Sequence, residues 1–165
     1  MSQGGRRVGR RPGWLVCLLL LAPLPPQAQT NAPWGGAQEV PARYAPARVL
    51  YDVDNGGAEA LGNILDRVSY LNKLYEADPF ESAIVVVVHG DAIPLFGIRD
   101  FPKYRALMQR AQSLTRSGNI EFRLCRAAAG VLGYAPSDIH GFVRMVPMAD
   151  AEIVRLQREG YAYMR

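Results

Sequence analysis

The chain has 165 residues, with 19 Lys and Arg against 15 Asp and Glu and a formal net charge of +4. That length is room for one domain. The positive excess sits entirely within the first 29 residues, so it gives no support for nucleic-acid binding.

Arg6, Arg7, Arg10 and Arg11 precede the apolar run "WLVCLLLLAPL", and "PLPPQAQ" follows, with small Ala28 near a plausible cleavage point. Basic, apolar and polar parts in that order are the layout of a secretory signal peptide. A membrane-spanning helix needs about 20 apolar residues, more than this run holds. Residues 1–29 are therefore expected to be cleaved, leaving no stable membrane anchor. The expected destination is the periplasm, or else the outside of the cell. The remaining chain carries fifteen charges of each sign and a single thiol, Cys125, so it has no internal disulfide. Such compartments oxidise exposed thiols, so Cys125 is either shielded or used.

Residues 30–45, "TNAPWGGAQEVPARYA", have no period and read as a linker or loosely held arm. "ARVLYDV" (47–53) is a short strand, and "DNGG" after it is a turn with a helix-start signal. Leu61, Ile64, Leu65, Val68 and Leu71 then recur at spacings of three and four, the apolar face of a helix. Asn72 falls on that stripe and needs partners, expected among loop backbone groups. "AIVVVVH" (83–89) is a continuous β-branched run, as in a central strand covered on both faces. Pro102 opens a second helix, with Tyr104, Leu107, Met108, Ala111 and Leu114 on one side and Gly118 as its stop. "NIEFRLC" (119–125) is a third strand, followed by the short helical run "RAAAGVLG". "FVRMV" (142–146) is a fourth strand and "MADAEIVRLQREG" a last helix. The tail "YAYMR" is a short edge strand whose Tyr161 and Tyr163 share one face, suited to packing or a subunit interface.

Strands alternating with helices predict an α/β domain over 46–165 with a mostly parallel sheet and helices on both faces. No GxGxxG follows the first strand and no P-loop is present, so no nucleotide or other cofactor is expected. Ligands of open parallel sheets bind beyond the carboxyl ends of the strands. Three such ends carry polar or reactive groups: Asp52 to Asn55, His89-Gly90-Asp91, and Cys125-Arg126. If the second and third strands are neighbours, His89 and Cys125 reach one rim.

Cys125 ends a strand and precedes a helix whose unpaired N–H groups favour a nearby anion. Arg126 and Arg123 would add positive potential, and such settings activate a thiol. Free cysteine is also among the most buried residue types, so a filler role stands beside the reactive one. His89 is a candidate thiol modulator or ligand-binding group, or a structural histidine. Gly90, Arg126 and Asn55 are candidate binding residues on the same rim. No metal site is expected, since His140 lies in a loop and the other ligand types are too few. A cysteine hydrolase would need an orienting group and an oxyanion site, and no local signature of one is present.

"NILDRVSYLNKL", "VVVVHGDAIPLF", "GNIEFRLCRAAAG" and "VPMADAEIVRLQREGYAYMR", taken in order, resemble the DsrE/DsrF-like family, nearest its YchN-like branch. The resemblance covers roughly residues 46–165. It implies a three-layer α/β/α sandwich around a mostly parallel sheet of roughly five strands. It also implies a homotrimer or homohexamer. Family members of sulfur oxidation and sulfur relay carry a persulfide on a strand-end cysteine. Cys125 matches that position, and His89 the family's His-Gly position. The function so implied is an exported sulfur carrier or sulfur-compound binding protein, served by a donor or acceptor protein and more a carrier than a stand-alone enzyme. Its alternative is a non-catalytic oligomeric ligand-binding or scaffold module with a structural cysteine. The chain departs from cytoplasmic relay proteins in its export leader, its proline-containing arm and its lack of a second cysteine.

Overall fold

The structure, a computed structural model, describes residues 35–165. The expected leader and the first part of the expected arm lie outside the described residues. Residues 35–46 are exposed and carry no helix or strand.

Five strands form one sheet: β1 (Arg48–Val53), β2 (Ala83–Val88), β3 (Ile120–Cys125), β4 (Val143–Val146) and β5 (Ala162–Met164). Their order is β4-β3-β2-β1-β5, and every pairing is parallel. Four helices connect them: α1 (Ala58–Leu74), α2 (Phe101–Leu114), α3 (Arg126–Val131) and α4 (Ala149–Arg158). The predicted fold class is the one observed, an α/β sandwich on a five-stranded sheet. None of the helices among the described residues is long and apolar enough to cross a membrane.

The order of the strands decides how the faces are covered. From β1 to β4 the chain steps in one direction, so right-handed crossovers lay α1 and α2 on the same face. The return from β4 to β5 crosses the whole sheet backwards, which puts α4 on the other face. On the α1/α2 face Leu61, Leu65 and Val68 of α1 and Met108 and Ala111 of α2 cover Val49, Ile84, Val86, Ile120 and Phe122. Removing such aliphatic side chains from water stabilises the fold by about 1.5–3 kcal/mol each. On the other face Ala149 and Leu156 of α4 pack with Leu50, Val85 and Val87. β2 is thus buried on both sides, which is why its sequence is an unbroken β-branched run.

Two links were not foreseen. After β2 the chain runs through a 3-10 segment, Gly90–Phe96, whose Ala92, Ile93, Leu95 and Phe96 are all buried. α1 leaves through Glu76 and Ala77, both left-handed (φ 58° and 53°) without being glycine. Asn72 is half-buried near that exit. Its partner is the side chain of Asn119, whose Nδ2 donates to Asn72 Oδ1 at 2.7 Å and lies 3.3 Å from Ser82 Oγ. The partner is therefore a side-chain amide, where loop backbone was expected. This network closes the amino end of the sheet, opposite the rim that carries Cys125.

Candidate functional site

β2 and β3 are adjacent, with Val88 opposite Leu124 as their last registered pair. One residue further on, His89 and Cys125 leave the sheet side by side. Strand alternation turns both to the α4 face, the side of Val85 and Val87. They form the wall of one cavity of ≈ 260 Å³, completed by Ala128 and Val131 of α3 and by Met148 and Asp150 at the start of α4.

Cys125 is at once the last residue of β3 and the cap of α3. Its Sγ accepts the backbone N–H of Ala128 at 3.4 Å. A sulfur atom is a weak acceptor as a thiol and a better one as a thiolate. The residue is 4 % exposed and packs with Leu50, Val85, Val87, Ala149 and Leu156. Its sulfur is therefore reached through the cavity and not from open solvent. At the outer side, Val131 and Met148 are exposed apolar residues.

His89 Nε2 lies 2.7 Å from Asp52 Oδ1. The other carboxylate oxygen, Oδ2, accepts the hydroxyl of Tyr163 at 2.5 Å. Tyr163 is opposite Leu50 in the β1–β5 pairing, so it shares a face with Leu50 and Asp52. The bond to Asp52 raises the Tyr163 phenol above its ordinary range, because deprotonation would lose that bond beside a negative charge. No hydrogen bond joins His89 to Cys125 Sγ among the described residues, so the contact a cysteine hydrolase would need is not formed.

The remaining expected residues fall around this cavity rather than in it. Gly90 has φ 53°, and a Cβ there would come 3.3 Å from the Asp54 carbonyl oxygen. At Gly56 a Cβ would come 2.4 Å from the Asp91 carbonyl oxygen. These two glycines let the loops after β1 and β2 touch, which seats His89 next to Asp52. Asn55 Oδ1 accepts the Gly57 N–H at 2.8 Å and shapes the entry into α1. It lines a separate recess of ≈ 170 Å³ with Asp54 and Arg165. Arg126 is exposed and is not part of the cavity wall.

Arg123 does not supply free positive charge either. It is bound to Glu121 at 2.7 Å and to Glu152 of α4 at 2.5 Å. Burial works against its charge, but the two carboxylates outweigh that and hold the guanidinium above its ordinary value. Glu152 in turn is held below the usual carboxylate range by Arg155 and Arg123, against the opposing effect of burial.

His140 is not part of this cavity and lines another recess, of ≈ 290 Å³, with Phe101, Met108 and Phe142. It stacks on Phe142 and meets Phe101 edge-on, and burial lowers its pKa. No group of three or more His, Cys, Asp or Glu among the described residues is placed to hold a metal ion. A further recess of ≈ 600 Å³ is a groove along α1 flanked by Tyr51, Arg67, Tyr70 and Leu74, away from the thiol.

Three contributors escaped the sequence reading: Asp52 as the partner of His89, Tyr163 as the partner of Asp52, and the start of α4 as a cavity wall. Asp52 had one readable signal, a carboxylate in the inward register of Leu50 on an interior strand. Tyr163 and α4 had none, since only the return crossover brings them to this rim.

A model of the DsrE/DsrF-like family matches residues 58–165. Among solved structures, the chain is similar to a protein of unknown function from Methanobacterium thermoautotrophicum, MTH1491. The TM-score is 0.59 at 22 % identity, over 72 % of this chain and 98 % of that one. At that identity the likeness concerns the fold alone. Curated proteins yield no match.

Proposed function

This chain belongs to the DsrE/DsrF-like family, and we propose that it carries sulfane sulfur as a persulfide on Cys125. The observation that carries the reading is the shared cavity: the strand-end thiol and His89 form one wall beyond the carboxyl ends of adjacent strands. In the proposed step the Cys125 thiolate attacks the outer sulfur of a donor persulfide. A Cys125 S–S bond forms, the donor S–S bond breaks, and the donor leaves as a thiolate. The exchange needs no outside oxidant or reductant. An acceptor thiolate removes the sulfur by the same step in reverse, because the chain after its leader has no second thiol to do so.

The burial of Cys125 shapes this proposal. A sulfur reached only through a ≈ 260 Å³ cavity suits a donor that presents its persulfide on a narrow arm. The exposed Val131 and Met148 would meet that donor at the mouth. We further propose that the work is done after export, in an oligomer of this chain.

The test is mass spectrometry of the purified protein after incubation with polysulfide. Wild type should gain one sulfur on Cys125, released by a thiol reductant, and Cys125→Ser should gain none. A wild-type chain that takes up no sulfur and resists alkylation while folded would sink the proposal. That result would favour a second reading, supported by the 4 % exposure and apolar neighbours of Cys125. In it the cysteine fills the core of a non-catalytic binding or scaffold module.

A further inference from the structure

Asp52 is a carboxylate with only 14 % of its side chain exposed, and it is the next-to-last residue of the interior strand β1. Among the described residues no Lys or Arg lies within ion-pair distance of it. Its two oxygens are instead taken one each, by His89 Nε2 at 2.7 Å and by the Tyr163 hydroxyl at 2.5 Å. An ionised carboxylate has acceptors only. With Asp52 ionised both partners donate, and a neutral His89 then carries its proton on Nε2. Nδ1 is then the nitrogen with a free lone pair.

From this we infer that Asp52 and Tyr163 are positioning residues for the thiol chemistry, holding His89 as the tautomer whose Nδ1 takes the Cys125 proton. The inference rests on the persulfide reading of Cys125. The three side chains come from three strands in a row, β2, β1 and β5, so the last residues of the chain complete the site. In the step, the S–H bond of Cys125 breaks and its proton passes to His89 Nδ1 through one water molecule. The thiolate keeps the electron pair and the N–H of Ala128. The resulting imidazolium still donates Nε2–H to Asp52, whose negative charge stabilises it. Tyr163 holds the carboxylate in place by its second oxygen. The other ionisable group on the cavity wall is Asp150 of α4, which adds negative charge and no competing donor.

Asp52→Asn separates this role from a structural one, because the amide keeps the size and still bonds both neighbours. Its Oδ1 accepts the Tyr163 hydroxyl while its Nδ2–H₂ donates to His89 Nε2. In that orientation the neutral ring carries its proton on Nδ1, the wrong nitrogen. The experiment uses the full-length purified chain and two readouts. ¹⁵N NMR of the His89 ring reads the tautomer, and iodoacetamide alkylation at neutral pH is read on the peptide that holds Cys125, apart from Cys17.

Wild type should be the Nε2–H tautomer and Asp52→Asn the Nδ1–H tautomer, with alkylation slower by about tenfold or more. Asp52→Glu should recover part of the rate. Tyr163→Phe should keep the tautomer and lose roughly threefold, the worth of one hydrogen bond. In a His89→Gln background, Asp52→Asn should change nothing further. A wild-type ring protonated on Nδ1, or an alkylation rate that stays flat while the tautomer switches, would overturn the inference. If alkylation follows the tautomer as expected but polysulfide adds no sulfur, the positioning stands and the carrier reading falls.

Discussion

The two faces of the sheet differ in how much covers them. The α1/α2 face is backed by two long helices and the 3-10 segment after β2, and twenty-two buried apolar side chains form its cluster among the described residues. The α4 face is backed by one ten-residue helix, and its cluster holds six. The thinner side is also where Asp52, His89, Glu121, Arg123 and Cys125 all point. A face covered by a single short helix leaves both ends of each strand within reach of water, so charged and reactive side chains are tolerated there. On the thicker face the same groups would be buried without partners, at a cost of several kcal/mol. Cover, in this fold, sorts structure from chemistry.

The sharpest way to break that contrast is to damage the thick face. Phe122 packs against Phe96 and Phe142 with ring centroids 5.9 and 5.7 Å apart. Phe122→Ala should cost about 3–5 kcal/mol in urea unfolding, while the alkylation rate of Cys125 in the folded fraction holds steady. A loss under about 1 kcal/mol would mean that this core is not the main support of the sheet.

On the thin face the largest stability effect should come from Arg123, which is 16 % exposed and ties β3 to α4 through Glu152. Arg123→Ala removes the cation between Glu121 and Glu152, leaving them only their outer partners Arg144 and Arg155, and should cost about 2 kcal/mol near neutrality. The sign with pH follows from Glu152, whose folded carboxyl is held below its unfolded value, first by Arg155 and then by Arg123. Its contribution is therefore complete above the unfolded value of about 4.3 and is lost as pH falls through the folded one. The gap between wild type and Arg123→Ala in urea midpoint should be widest at neutral pH and shrink in acid. A gap that grows in acid would contradict the assignment.

The smallest expected change is a gain, back on the thick face. Ala77 closes the exit of α1 in a left-handed conformation (φ 53°), where a Cβ crowds the following carbonyl. Ala77→Gly should relieve up to about 1 kcal/mol, less the extra freedom glycine adds to the unfolded chain. The reading is a modest rise in Tm with unchanged thiol reactivity.

How much was legible can be judged from single residues. Val85 to Val88 announced a central strand because a run buried on both faces admits no polar alternation. Leu61, Leu65 and Val68 announced α1 because a helix returns to the same face every three or four residues. Cys125 and His89 were legible as strand ends, and their neighbourhood depended only on β2 and β3 being adjacent. Asn55 and Arg126 followed the same rim logic, yet a strand end fixes only where the backbone stops. The side chains after it turn with the loop, toward α1 for Asn55 and into solvent for Arg126. Asn72 showed the reverse case: its need for a partner was readable, but Asn119, 47 residues away, was not.

By itself the amino-acid sequence determined the elements, their periods and the class of fold, because these depend on neighbours within a few positions along the chain. It also determined that one thiol would stand at the end of one strand. The order of the strands, and with it the single-helix cover of the α4 face, was decided only in three dimensions. So was the chain from Tyr163 through Asp52 to His89, which joins positions 111 and 37 residues apart. Hydrogen bonds of that kind depend on which strands lie side by side, and strand order is a property of the closed sheet, not of any segment in it.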